Sequence, residues 1–211
     1  MKMQFVNLTI FSSLFLSLVV QAATPTPELK VKGSIGVPTC TINVPDGGVY
    51  NVGNISAATI QPTTSVILPT ITKTWTISCD GSTYLSFTPT DNRKSSVSNT
   101  TAIHNFGLGF VNGTGKIGYF RTGLSNAKVD GESSFFYYVE NGFQGGHTTE
   151  TLTNNLPFGW AQNATTAKAG KVFSADLTVT PVLASSATMG GAITENINID
   201  GSVTLSFAYG I

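Results

Sequence analysis

Residues 197–211 read Ile197-Asn198-Ile199-Asp200-Gly201-Ser202-Val203-Thr204-Leu205-Ser206-Phe207-Ala208-Tyr209-Gly210-Ile211, and one parity runs through the whole stretch. Odd positions are apolar apart from Gly201, and even positions are small or polar. Alternation with a period of two marks a β-strand with one buried and one solvated face, here spanning roughly 50 Å at about 3.4 Å per residue. A strand of this kind carries backbone donors and acceptors along both edges. These need a neighbouring strand, from this chain or from a partner.

The same period recurs upstream. Residues 171–182 place Phe173, Ala175, Leu177 and Val179 on one parity, and residues 73–79 do the same with Trp75, Ile77 and Cys79. Residues 29–44 are expected to form a strand in which Leu29, Val31, Ile35 and Val37 alternate. Its parity shifts at Pro38, as at a bulge or where a strand changes sheets. Asn112-Gly113-Thr114-Gly115 between apolar runs predicts a hairpin. Residues 84–88 and 133–139 are further strands, the latter carrying Phe135, Phe136, Tyr137 and Tyr138. Polar and glycine-rich loops are expected at 91–101, 142–155 and 184–191. With no convincing period of 3.6, the chain reads as all-β, a sandwich of about eight short strands.

Composition agrees. Lys and Arg number 11, as do Asp and Glu, and charged residues are only 10% of the chain, so nothing electrostatic favours nucleic acid or an anionic membrane surface. Polarity comes from Ser, Thr and Asn, with 22 Gly and 9 Pro as punctuation. At the start, Lys2, a largely apolar stretch over 5–20 and Val20-Gln21-Ala22 form the pattern of a cleaved secretory signal over 1–22. An apolar core of about sixteen residues is short of the roughly twenty that span a bilayer. The remainder, 23–211, is expected to be one domain. Two cysteines in an exported chain most simply form one structural disulfide, Cys40–Cys79, both lying on the apolar parity of strand-like segments. Neither His104 nor His147 has a ligand partner at metal-binding spacing, so no metal or other cofactor is expected.

Gly33-Ser34-Ile35-Gly36-Val37-Pro38-Thr39-Cys40-Thr41-Ile42 near the mature start, a second cysteine one strand later, Ala169-Gly170-Lys171-Val172-Phe173-Ser174-Ala175-Asp176-Leu177-Thr178-Val179 and the terminal alternating strand with Tyr209 carry a resemblance. Together they resemble the subunits of chaperone–usher fimbriae, more narrowly the fimbrial-like proteins encoded with such chaperones. The resemblance implies an immunoglobulin-like, pilin-type sandwich lacking one strand, with an apolar groove beside its last strand. A periplasmic chaperone fills that groove first, and at the outer-membrane usher the N-terminal extension of another subunit replaces it, which is recognition by strand addition. Carried onto this chain, Val203, Leu205, Phe207 and Tyr209 border the groove and the Ile211 carboxylate meets the chaperone. The implied location is the periplasm in transit and then the cell surface or fimbrium.

Two features depart from the family pattern. Only residues 23–28 precede the expected strand at Leu29, and Pro25 and Pro27 interrupt them, so the chain is expected to accept a donor strand without giving one, as a tip or terminal subunit would. If residues 171–182 are instead the groove-lining strand, residues 201–211 close the sandwich in cis and the chain is a stand-alone binding protein.

Other classes find less support. Acidic residues are scattered, neither histidine belongs to a hydrolase motif, and Gly107-Leu108-Gly109 lies in a strand context rather than before a helix, so no enzyme is expected. A carbohydrate-binding adhesin, with host or surface glycan as ligand, would use Phe135, Tyr137 and Trp160 as an aromatic platform beside the loop at 142–155. The competing role for those rings is core packing. An outer-membrane barrel is disfavoured by the cysteine pair and by strands shorter than the nine to eleven residues a barrel needs. Asn54, Asn99, Asn112 and Asn163 each begin an Asn-x-Ser/Thr triplet, and the abundance of these residues explains them by chance.

Overall fold

Odd-numbered side chains of Ile71–Asp91 turn inward along the whole 21-residue strand, from Trp75 and Ile77 through Leu85 and Phe87 to Asp91. This long strand is the spine of an all-β protein. The computed structural model describes residues 27–210, so the signal segment at 1–22 and Ile211 lie outside the described residues. Two units are distinguished: a short one ending at Ile35, and the body from Gly36 onward.

In chain order the body contains β1 (Cys40–Asn43), β2 (Val66–Ile67), β3 (Ile71–Asp91), β4 (Phe106–Gly107) and β5 (Phe110–Val111). Then come β6 (Gly115–Lys116), β7 (Gly118–Val129), β8 (Glu132–Ser133), β9 (Phe135–Val139) and β10 (Phe143–His147). The last are β11 (Glu150–Thr151), β12 (Phe158–Ala161), β13 (Gly170–Leu183) and β14 (Val203–Gly210). Every ladder among them is antiparallel. Twelve strands share one curled sheet, and β5 with β6 form the small hairpin around Asn112 and Gly113.

The curl follows from how β3 divides its partners. Along one edge it pairs first with β13, Ile71 opposite Val179 through Ser78 opposite Val172, and then with β12 at Ser86 and Phe87. Along the other edge it pairs with β1 at 76–79 and with β14 at 84–91. β13 continues to β7, and β12 to β9 and β10. Pro89 fits within so long a strand because β12 stops pairing at Phe87. Aromatic rings from β12, β13 and β3 meet inside. Trp160 on β12 lies 5.3 Å from Phe173 on β13 and 6.0 Å from Phe87, centroid to centroid, and its indole N–H donates to Ser174 O.

The disulfide Cys40–Cys79 joins directly opposed residues of β1 and β3. Closing a loop with 39 residues of sequence separation stabilises by about 4 kcal/mol in the chain-entropy treatment. Beside it the Asp80 carboxylate accepts from Thr39 N–H at 2.9 Å and Thr39 O–H at 2.6 Å. Those bonds, the hydroxyl's first, hold the Asp80 pKa below its usual range.

Several elements differ from expectation. The segments expected as separate strands at 73–79 and 84–88 are one strand, β3, and the loop expected at 142–155 contains β10 and β11. With 21, 12 and 14 residues, β3, β7 and β13 are not short, so strand length does not argue against a barrel. Residues 29–44 are not one strand: pairing begins at Cys40, and 27–39 form no ladder, so the parity change at Pro38 marks the end of an arm rather than a bulge. The terminal alternation at 197–211 holds ladder bonds only from Val203, because 197–202 run alongside Leu108 and Asn92 with two backbone contacts, Asp200 N–H to Leu108 O and Asn92 N–H to Ser202 O.

Candidate functional site

Among the described strands β14 pairs with β3 alone, which leaves one edge of β14 without a strand neighbour. By contrast β13 is paired on both edges, with β7 on one and with β2 and β3 on the other, so it is not the strand that borders an opening. Apolar side chains of β14 point inward, as its alternation requires. Val203 and Leu205 line a groove whose floor is apolar and whose rims also carry Asn51, Asn54, Glu195, Asn196 and Asn198, and Phe207 packs on Phe87 at 5.4 Å. Tyr209 is 43% exposed near the end of the strand.

The groove encloses about 990 Å³. Its floor is the inner face of the sheet, with Phe120, Leu152, Leu177, Val179 and Leu183, while Ile193, Ile197 and Ile199 form the rim leading into β14. Arg93 fixes that rim by donating from Nε and Nη2 to the Asp200 carboxylate at 2.8 and 2.6 Å. A Cβ at Gly201 would stand 2.9 Å from the Phe120 ring, so only glycine lets the chain pass here without the ring shifting. The opposite rim is formed by residues 48–57 and Ile60. Tyr50 anchors it: its hydroxyl donates to Leu177 O at 3.2 Å and accepts from Trp75 Nε1 at 3.0 Å. Burial pushes the Tyr50 phenol pKa up, partly offset by the bond from Trp75. Lys73 lies 5.4 Å from the centre of the Tyr50 ring, donates to Val49 O at 2.6 Å and pairs with Asp46.

Pro38 marks where a second feature ends. Leu29, Val31 and Ile35 are 88, 89 and 98% exposed, and Val37 is 78% exposed. With Gly33 they share one parity across the arm. The segment carries the alternation of a strand but forms no ladder among the described residues. These residues are expected from sequence in the first core strand, and in the structure they precede it. The signal that separates them is the loss of parity at Pro38 followed by the Thr39–Asp80 clasp.

The proposed aromatic platform does not assemble. Trp160 is 2% exposed, because β12 lies between β9 and β3 and its ring packs among Phe87, Phe136 and Phe173, so it offers no face to a ligand. Tyr137 lies flat over Gly159, where a Cβ would be 2.5 Å from Tyr137 Cε1, and it stacks on Phe143 at 4.5 Å. Phe135 is the exposed member of the three, at 36%. Elsewhere both histidines approach Glu150. His147 Nδ1 is 3.0 Å from Glu150 Oε1, and burial raises the Glu150 pKa despite the opposing influence of His147 and then His104.

The family described as "Protein of unknown function (DUF1120)" is similar to this chain over residues 29–107. That match contains the arm, β1, the residues of the Tyr50 rim, β3 and β4. No curated protein matches the chain.

Proposed function

We propose that this protein is a structural subunit of a cell-surface fimbria, assembled by donor-strand complementation through a periplasmic chaperone and an outer-membrane usher. One observation carries the reading: the edge of β14 that pairs with no described strand borders a groove with an apolar floor, the arrangement that strand addition uses. The arm supports it from the other side, since Leu29, Val31, Ile35 and Val37 offer a strand that can be lent. On this reading the chain both accepts and donates a strand, which favours a subunit inside a fibre over a terminal one that only accepts. Main-chain bonds to β14 supply affinity, and alternating side chains entering the groove supply register.

The test is periplasmic expression of the tagged chain with and without its cognate chaperone. The proposal expects a stable 1:1 complex, and aggregation or degradation when the chaperone is absent. A soluble monomer that melts cooperatively without chaperone, and does not bind it, would reject the proposal in favour of a stand-alone binding protein.

A further inference from the structure

We propose that residues 50–60 are a removable strap, which covers the groove in the free chain and swings aside when a strand adds to β14. The inference rests on the reading of the groove as a strand acceptor. Its starting point is the contrast between how the strap is packed and how it is bonded. Tyr50, Ile55 and Ile60 pack against the core, as a cover for Leu177 and its neighbours would. Yet among the described residues the backbone from Asn51 to Ile60 makes no hydrogen bond to any other element. Thr59 N–H reaches Ser56 O, Ile60 N–H reaches Ala57 O, and Gly53 N–H reaches the side chain of Asn51, all within the strap.

Both ends of the strap are tied. Tyr50 is held by Leu177 O and Trp75, and just past the far end the carbonyls of Gln61 and Pro62 accept from Ser186 and Ala187 N–H. Between these anchors only side-chain packing holds it down. The chamber of about 990 Å³ that it leaves is far larger than the voids of a close-packed interior. A strand arriving at β14 supplies the same apolar cover and adds ladder hydrogen bonds that the strap cannot make. The exchange therefore favours the strand, and the strap serves to keep the apolar floor from water until one arrives.

A strap that is instead a permanent wall of the groove makes the opposite prediction, and the experiment separates them by sign. A synthetic peptide of residues 27–39 is the probe, applied to the full chain freshly released from its chaperone complex and to a Tyr50→Phe, Ile55→Ala chain prepared in the same way, with binding followed on a sensor surface. A Tyr50→Phe chain alone, lacking only the hydroxyl bonds, serves if the double variant folds poorly. An occluding strap predicts association at least tenfold faster in the loosened chain with dissociation unchanged. It also predicts more binding of a hydrophobic dye by the loosened chain without peptide. Faster dissociation, or equal rates in the two chains, would overturn the proposal while leaving the groove a strand acceptor. Absence of peptide binding by every chain would instead reject the acceptor reading. The dye then decides the strap by itself, unchanged dye binding overturning it.

Discussion

Gly107 stands where two backbones nearly touch. A Cβ there would lie 2.0 Å from Arg93 O and 2.3 Å from Ser96 Oγ, while Gly107 N–H donates to the buried Asp91 carboxylate at 3.0 Å. A backbone carbonyl cannot move aside as a side chain can. Gly107→Ala is therefore expected to cost about 3 kcal/mol or more, read from urea unfolding. Gly113→Ala is the control: its φ is +81° but nothing lies within 4 Å, so the cost should be nearer about 1 kcal/mol. Asp130 tests charge rather than space. Its carboxylate accepts from Val172 N–H at 2.8 Å and Lys171 N–H at 2.9 Å, and these bonds hold its pKa below the usual carboxylate range. With the folded pKa depressed, the stabilisation is present above the ordinary carboxylate value and is lost as pH falls through the depressed one. Asn tolerates the left-handed φ of 54° at this position. Asp130→Asn should therefore flatten the acid limb of the stability-against-pH curve, and an unchanged limb would contradict the assignment.

At the scale of elements, β13 and the β5–β6 hairpin are legible in the sequence because alternation and turn chemistry are local, whereas β3 is legible only as two pieces, 73–79 and 84–88, because Asp80-Gly81-Ser82 between them reads as a break. Phe173, Ala175 and Leu177 face the core as their parity requires, and Asn112 adopts a φ of 48° in the expected turn. The arm was not legible as an arm. Leu29, Val31, Ile35 and Val37 carry the same local pattern as a half-buried strand, and what distinguishes the two is whether another segment supplies ladder bonds, a long-range fact. Trp160 was ambiguous for a related reason. Flanked by Gly159 and Ala161, it has no local mark of burial, and its place in the core comes from β12 lying between β9 and β3. The strap was also hidden, since residues 50–60 lack periodicity and are recognised only through Tyr50 and Trp75 meeting over Leu177. β14 was read as a strand from its parity alone, but its single neighbour could not be, because pairing partners are set by the curl of the whole sheet.

For the whole molecule, the proposed function makes each copy both donor and acceptor, a head-to-tail contact that generates a filament where its rotation does not close into a ring. This predicts an asymmetric effect of arm variants. Ile35 is 98% exposed, so Ile35→Asp leaves the folded body untouched, and its melting temperature, measured on the chaperone-released or peptide-complemented chain, should match the parent. A charge at that position cannot enter an apolar groove without a large desolvation cost, so the variant is a defective donor. Its β14 edge and groove are intact, so it remains an acceptor. Mixed in minor amount with parent chain, it should therefore terminate filaments at its own defective end and shorten them in proportion to its fraction, as seen by electron microscopy or sedimentation. A variant in the groove, Leu205→Asp, should terminate growth at the other end, and a mixture of the two variants should form at most dimers. Filament lengths unaffected by Ile35→Asp would mean that residues 29–37 are not the lent strand, whatever occupies the groove.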